Sequence, residues 1–262
     1  MDPFSFDYDP ARIEFGRGCL DRLGPILDGL GVTRALVVTG STVGSTPAVI
    51  DPVVAAIGDR HGDTFDRTTS EKSVWTAIEG RDLVRKAGID GLVGLGGGSS
   101  LDMAKAIAIL AASERSADDT VEHIENTGVL PVPEDSLLPV VALPTTLAGA
   151  DLSAVGSVTI PDTDVGLDDD QHRVGGFADR RLMPAAVCYD PNLFDTTPPT
   201  PLAASAMNGF DKGIELVYSR NATPITDATA MHGLGLLRDA LPAMTNDAEA
   251  LERSIAGIIL VQ

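Results

Sequence analysis

The sequence predicts an α/β fold: a parallel sheet with flanking helices, followed by an all-helical C-terminal part. Two observations predict the sheet. Short apolar runs at 34–40, which is rich in β-branched residues, and at 90–95 and 138–144 alternate with stretches of helical spacing, which is the pattern of βαβ units. One run, Leu92-Val93-Gly94-Leu95, stops at Gly96-Gly97-Gly98 and passes directly into an alanine-rich stretch with Leu101, Ala104, Ile107, Ala108 and Ala111 at helical spacing. The third observation predicts the helical part. Beyond the proline-dense segment Asp195-Thr-Thr-Pro-Pro-Thr-Pro201 only helical patterns remain, so a boundary is expected there, with parts at 1–195 and 196–262.

In chain order, Phe15-Gly16-Arg17-Gly18 reads as a turn into an amphipathic helix over 19–27. A buried strand at 34–40 is followed by helix 47–57, a weak strand around Phe65, helix 74–87, strand 90–95 and helix 101–112. Residues 116–137, acidic and containing proline, read as mostly loop. Strands are expected at 138–144, 153–160 and 185–189, with the aspartate-rich 162–171 as a solvated turn. Three helices close the chain, at 202–218, 225–241 and 247–261. The last ends on Ile258-Ile259-Leu260-Val261 without a glycine cap, so a partner helix and an incomplete helical part are expected.

Of 262 residues, 44% are hydrophobic, enough for a packed core. Acids outnumber bases 38 to 19, a formal charge of -19 that excludes bulk binding to nucleic acid. So many aspartates with so few lysines resemble proteins of salt-loving organisms. No apolar run reaches membrane-spanning length, and the acidic start has no signal-peptide core, so no membrane association is expected. Cys19 and Cys188 fit no metal-ligand spacing and suit a reduced, cytoplasmic setting.

The glycine turn carries chemistry. Without Cβ atoms the backbone can approach a ligand closely, and Ser99 or Ser100 can cap a helix whose free N–H groups and positive dipole end attract a phosphate. A tight strand-to-helix connection would look the same. Gly40 and Gly96 both end strands, where ligands of parallel sheets gather.

Phe15-Gly16, Gly96-Gly-Gly-Ser99 with Asp102 and Lys105, Pro144-Thr145-Thr146, Asp190-Pro191 and 206–215 follow one another in an order that resembles the iron-containing (group III) alcohol dehydrogenase family. That family shares its fold with dehydroquinate synthase. The resemblance implies a Rossmann-like dinucleotide-binding domain, a helical domain, and a cleft between them where hydride passes between a nicotinamide and a small carbonyl or alcohol substrate. It would place Gly97, Gly98 and Ser99 on the pyrophosphate, Asp102 near the nicotinamide, Thr145 and Thr146 on the adenosine half, and Arg173 at a cofactor-contacting position. At Gly40 many relatives carry an aspartate that repels a 2′-phosphate. Here Gly40-Ser41-Thr42 has no carboxylate, which favours NADP(H) and leaves NAD(H) open. A homodimer is a candidate assembly.

The first two family metal-ligand positions read Asn208 and Lys212, and the family's later ligands have no counterpart, so no metal is expected. The asparagine and Pro-Thr-Thr-Leu-Ala-Gly149 look more like the metal-independent maleylacetate reductase branch. Lys212 would then polarise a substrate carbonyl and protonate the nascent alkoxide, with Asn208 donating a hydrogen bond. Alternatively, Lys212 pairs with Glu215 on a solvated helix face. Two further readings stay open: an inactive nucleotide-binding remnant, and a dehydroquinate synthase-like lyase that would need a cradle of acids and histidines.

Overall fold

The computed structural model describes residues 12–161 and 173–262. Its elements are β1 (Arg12–Phe15), α1 (Leu23–Gly29), β2 (Ala35–Gly40), α2 (Ser41–Gly44), α3 (Pro47–Ile57), β3 (His61–Thr68), α4 (Val74–Ala87), β4 (Gly91–Gly96) and α5 (Gly98–Ala112). There follow α6 (Ala117–Thr127), β5 (Val140–Pro144), β6 (Val155–Thr159), β7 (Val174–Ala178), β8 (Ala186–Tyr189), α7 (Pro191–Phe194), α8 (Pro199–Tyr218), α9 (Pro224–Ala240) and α10 (Ala248–Leu260).

Six strands form a parallel sheet in the order β1-β8-β5-β4-β2-β3, while β6 and β7 pair as a separate antiparallel ribbon. From β2 the chain moves outward to β3, then crosses back to lay β4 on the other flank of β2. The order therefore reverses between β2 and β4, and parallel sheets open a crevice at the carboxyl ends of such a pair. Pairing of Val38 with Gly94 and of Gly96 with Pro144 brings the ends of β2, β4 and β5 side by side.

Strand alternation divides the core. Leu36, Val38 and Leu92 face α4, α5 and α6 through Val74, Met103, Ile107 and Ile124. Val37, Val93 and Val141 face α1 and α3 through Leu23, Leu27, Val53 and Ile57. A third cluster joins Leu101 of α5 and Ala142, Val187 and Tyr189 of the sheet to Leu202, Leu237, Leu251 and Ile258 of the C-terminal helices. No helix among the described residues is long and apolar enough to cross a membrane.

The structure departs from expectation in four places. α5 begins at Gly98 with Gly97 as its cap and no side-chain capping bond, so Ser99 and Ser100 lie in the first turn instead of capping it. Within 116–137, α6 stands where a loop was expected. Ser116 caps it by accepting from the Asp119 N–H, Asp118 and Asp119 suit the positive dipole end, and Val121 and Ile124 are buried. β1 and β7 were not expected either. β1 is short, alternates with charges and lies at the sheet edge, and β7 contains two glycines; both depend on their partner strands. The turn expected at 162–171 lies outside the described residues.

Candidate active site

β4 ends at Gly96 with φ +132, a conformation reserved for glycine, and a Cβ there would meet Ser100 Oγ at 2.8 Å. Gly97 is extended and sits so close to Thr146 that a Cβ would lie 3.3 Å from its side chain. The Ser100 and Leu101 N–H groups donate to the Gly97 carbonyl at 3.0 and 3.3 Å. The N–H groups of Gly98 and Ser99 precede these bonds and have no intrahelical acceptor, so the positive end of the α5 dipole carries free donors.

The neighbouring strand ends wall this turn. Gly40 caps α2 and leads to exposed Ser41, and a Cβ on Gly40 would lie 3.1 Å from the Thr68 carbonyl. The buried Thr39 and Thr68 hydroxyls, one beside Gly40 in the chain and one in register with it, have no hydrogen-bond partner. Thr145 is buried; its N–H donates to the Gly96 carbonyl at 3.0 Å, and its own carbonyl accepts from Thr197 Oγ1 at 2.7 Å. Thus Gly40, Ser41, Gly97, Gly98, Ser99, Thr145 and Thr146 converge at the ends of three adjacent strands.

Asp102, on the second turn of α5, is bonded through Oδ2 to Lys72 Nζ at 2.9 Å, and the same ammonium donates to Ser157 Oγ of β6 at 2.8 Å. Arg173 flanks the ribbon formed by β6 and β7, where its carbonyl accepts from the Ile160 N–H at 2.8 Å. Beside Gly156, whose Cβ would lie 2.9 Å from Asp102 Oδ1, a cavity of about 650 Å³ opens between the ribbon and the segment Gly128–Leu130.

Beneath the turn lies a buried ionisable group that sequence reading did not assemble. Lys105 is fully buried and donates to the carbonyls of Ala150 and Ser153 at 2.8 and 2.6 Å. Burial pushes its ammonium down to about 8, partly opposed by Asp102 and Asp151 and reinforced by the charge of Lys212. The Tyr189 hydroxyl donates to Asp151 Oδ2, and burial raises the proton affinity of both groups. The spacing from Gly96 through Asp102 to Lys105 announced the lysine. Nothing local announced Lys72, or the pairing of Asp151 with Tyr189.

Asn208 and Lys212 lie one turn apart on α8. Exposed Asn208 donates through Nδ2 to the Ala148 carbonyl at 3.1 Å, in the loop that follows Thr146. Half-buried Lys212 has a long contact of 3.4 Å from Nζ to Gln262 Oε1. No ion pair joins it to Glu215 among the described residues, although both line a cavity of about 340 Å³ with Leu216, Ser219 and Gln262.

The sequence profile of the iron-containing alcohol dehydrogenases matches residues 10–191. The chain belongs to the iron-containing alcohol dehydrogenase family. It is 29% identical over 260 residues to a maleylacetate reductase of Burkholderia cepacia, covering 98% of this chain and 62% of that protein. To the NAD-dependent methanol dehydrogenase of Bacillus methanolicus it is 29% identical over 252 residues, covering 95% and 61%. The solved maleylacetate reductase of Rhizobium sp. strain MTP-10005 superposes on it with a TM-score of 0.77 at 25% identity, covering 100% of this chain and 65% of that one. The sulfoacetaldehyde reductase of Bifidobacterium kashiwanohense in complex with NAD+ shares the fold, with a TM-score of 0.85 at 23% identity, covering 99% and 66%. The chain thus spans less than two thirds of the length of each of these four relatives.

The family description implies a metal, and the side chains on α8 do not fit one. A neutral amide is a poor donor to a hard divalent cation, and a protonated lysine repels it. Among the described residues no three His, Cys, Asp or Glu side chains are grouped to hold a metal ion. The strand ends suit a dinucleotide's phosphates chemically: the Gly98 and Ser99 N–H groups have no intrahelical acceptor, the turn carries no side chains at 96–98, and two buried hydroxyls nearby lack partners.

Proposed function

We propose that this chain is the nucleotide-binding part, with one wall of the substrate cleft, of an NAD(P)-dependent oxidoreductase acting on a small carbonyl or alcohol. The observation that carries the reading is the glycine turn at the β2/β4 reversal point, with the free N–H groups of Gly98 and Ser99 at the start of α5. Gly97, Gly98 and Ser99 would hold the pyrophosphate, with Thr145 and Thr146 toward the adenosine half and Asp102 and Arg173 toward the nicotinamide half. A bound nicotinamide supplies or accepts hydride. Gly40 and Ser41 offer no carboxylate to a 2′-phosphate, which favours NADP(H), with NAD(H) as the alternative. The proposed division is 1–195 for nucleotide binding and 196–262 for the helical wall.

Lys212 polarises the substrate carbonyl and gives its proton to the nascent alkoxide, while Asn208 orients the Ala148 loop or donates to the same oxygen. The reading routes no step through a metal. A second reading, nucleotide binding without turnover, is favoured by one observation: the amide of Asn208 is already engaged with the Ala148 carbonyl. Titration with NADH and NADPH by fluorescence, and oxidation of each followed at the cofactor absorbance with a panel of aldehydes and keto acids, separates the two. Binding and turnover, with turnover lost in Lys212→Ala, supports the first. Unchanged turnover in that variant removes Lys212 from the chemistry, and binding without turnover on any substrate supports the second.

A further inference from the structure

Lys72 is the only non-glycine residue of the described chain with a left-handed backbone, at φ +56, a conformation that L side chains rarely adopt. Neighbouring bonds hold it there. Its carbonyl accepts from the Thr159 N–H at 3.0 Å, and its N–H donates to the Thr69 carbonyl at 3.2 Å. From this turn the ammonium meets Asp102 Oδ2 and Ser157 Oγ, with the Lys72 and Asp102 side chains only 20% and 13% exposed. Two of its three donors are used, and the third is left for a further oxygen acceptor.

Charge gives this arrangement its meaning. The chain carries a formal charge of -19 and only four lysines, at 72, 86, 105 and 212, and three of them gather around the strand ends. Asp102 lies one turn beyond the free N–H groups of α5, where an uncompensated carboxylate would oppose an incoming diphosphate. Lys105, the other cation that acts on Asp102, spends its N–H groups on loop carbonyls.

We propose that Lys72 is a positioning residue of the nucleotide cleft: it cancels the charge of Asp102 and ties Ser157 beside it, so that an anionic dinucleotide meets a neutral α5 terminus and a fixed ribbon. The inference rests on the nucleotide-binding reading above. Its test is a fluorescence titration of NADH and NADPH at low salt on the 262-residue chain. The wild type is compared with Lys72→Asn, Lys72→Gly and Lys72→Arg, each also at high salt. Asparagine and glycine both accept the left-handed backbone, so the two neutral variants separate charge from strain and guard against the failure of one to fold.

Each neutral variant is expected to weaken both nucleotides by about tenfold, because it exposes an unpaired carboxylate beside the phosphates. Lys72→Arg is expected to stay within about threefold of wild type, and the ratio between neutral variants and wild type to shrink at high salt, where the unpaired charge is screened. A residue that is only a strut would leave the same ratio at low and high salt. Neutral variants that bind like wild type, or a loss that salt does not reduce, overturn the inference alone. A wild-type chain that binds neither nucleotide overturns the reading and the inference together.

Discussion

The carboxyl edge of the sheet and the outer face of α8 stand in contrast. At the edge, Gly96, Thr145, Asp102, Lys72 and Lys105 are fixed by bonds or close packing before any ligand arrives, and what remains free is a pair of N–H donors and two buried hydroxyls. On α8, Met207 is 56% exposed and Tyr218 71%, with Asn208 exposed and Lys212 held by one long contact. The first region is preorganised, so ligand binding there has little ordering cost. The second holds its polar groups more loosely, Asn208 by one bond to the Ala148 carbonyl and Lys212 by one long contact. Nucleotide affinity and turnover should therefore respond separately to substitution in this chain.

The largest expected effect falls where the two regions meet. Leu101, 1% exposed, packs α5 against the sheet and the C-terminal helices at once. Leu101→Ala should cost about 2–5 kcal/mol in urea unfolding, the range for cavities in a packed core. If the helices formed an independent unit, the variant would instead split the unfolding curve and lower only one transition.

Next comes Lys105→Met, expected to cost about 2 kcal/mol because it leaves the half-buried Ala150 and Ser153 carbonyls without their donor. Its pH signature is more telling. The folded-state value of about 8 lies below the ordinary 10.5, so the unfolded chain binds this proton more tightly. Below pH 8 the penalty of burying the charge is fully present. As pH rises from about 8 to 10.5 the penalty disappears and wild-type stability should gain relative to the methionine variant. A constant difference across that window would mean that Lys105 titrates as an exposed lysine does.

The same contrast marks what was legible in the sequence. Strands 34–40 and 138–144 and helix 74–87 announced themselves because buried parallel strands and amphipathic helices impose their own periodicity. The glycine turn was legible as a turn, and its glycines are used as such: Gly96 adopts φ +132 and Gly97 packs close to Thr146. β1 and β7 were not legible, because β1 is only four residues with two charges among them and β7 carries two adjacent glycines, so each strand relies on pairing with β8 or β6. α6 was hidden by its acidity, although Ser116 and the two aspartates after it are a regular start signal. Lys72 escaped because its partners are 30 and 85 residues away, and only the folded ribbon brings Ser157 to it.

A smaller effect is expected at Gly97, where the edge would be altered without being unfolded. Gly97→Ala places a Cβ 3.3 Å from Thr146 in a backbone conformation that alanine accepts, so unfolding should change little. Nucleotide affinity should fall by about tenfold, equivalent to about 1.4 kcal/mol, because the methyl group narrows the approach to the α5 N–H groups. Unchanged affinity by fluorescence titration would mean that the phosphates do not pass Gly97.

The smallest effect belongs to the open face of α8. Met207→Ser removes an apolar side chain that is 56% exposed and outside the shared core, so urea unfolding should shift by no more than about 0.5 kcal/mol. Nucleotide affinity should stay at the wild-type value, because Met207 touches none of the strand ends. Turnover is the informative quantity. Met207 precedes Asn208 directly, so a fall in kcat at unchanged nucleotide affinity would place substrate against this face and separate chemistry on α8 from binding at the sheet edge. A loss of nucleotide affinity would break the contrast, since it would require α8 to shape the cleft that the three strand ends otherwise build.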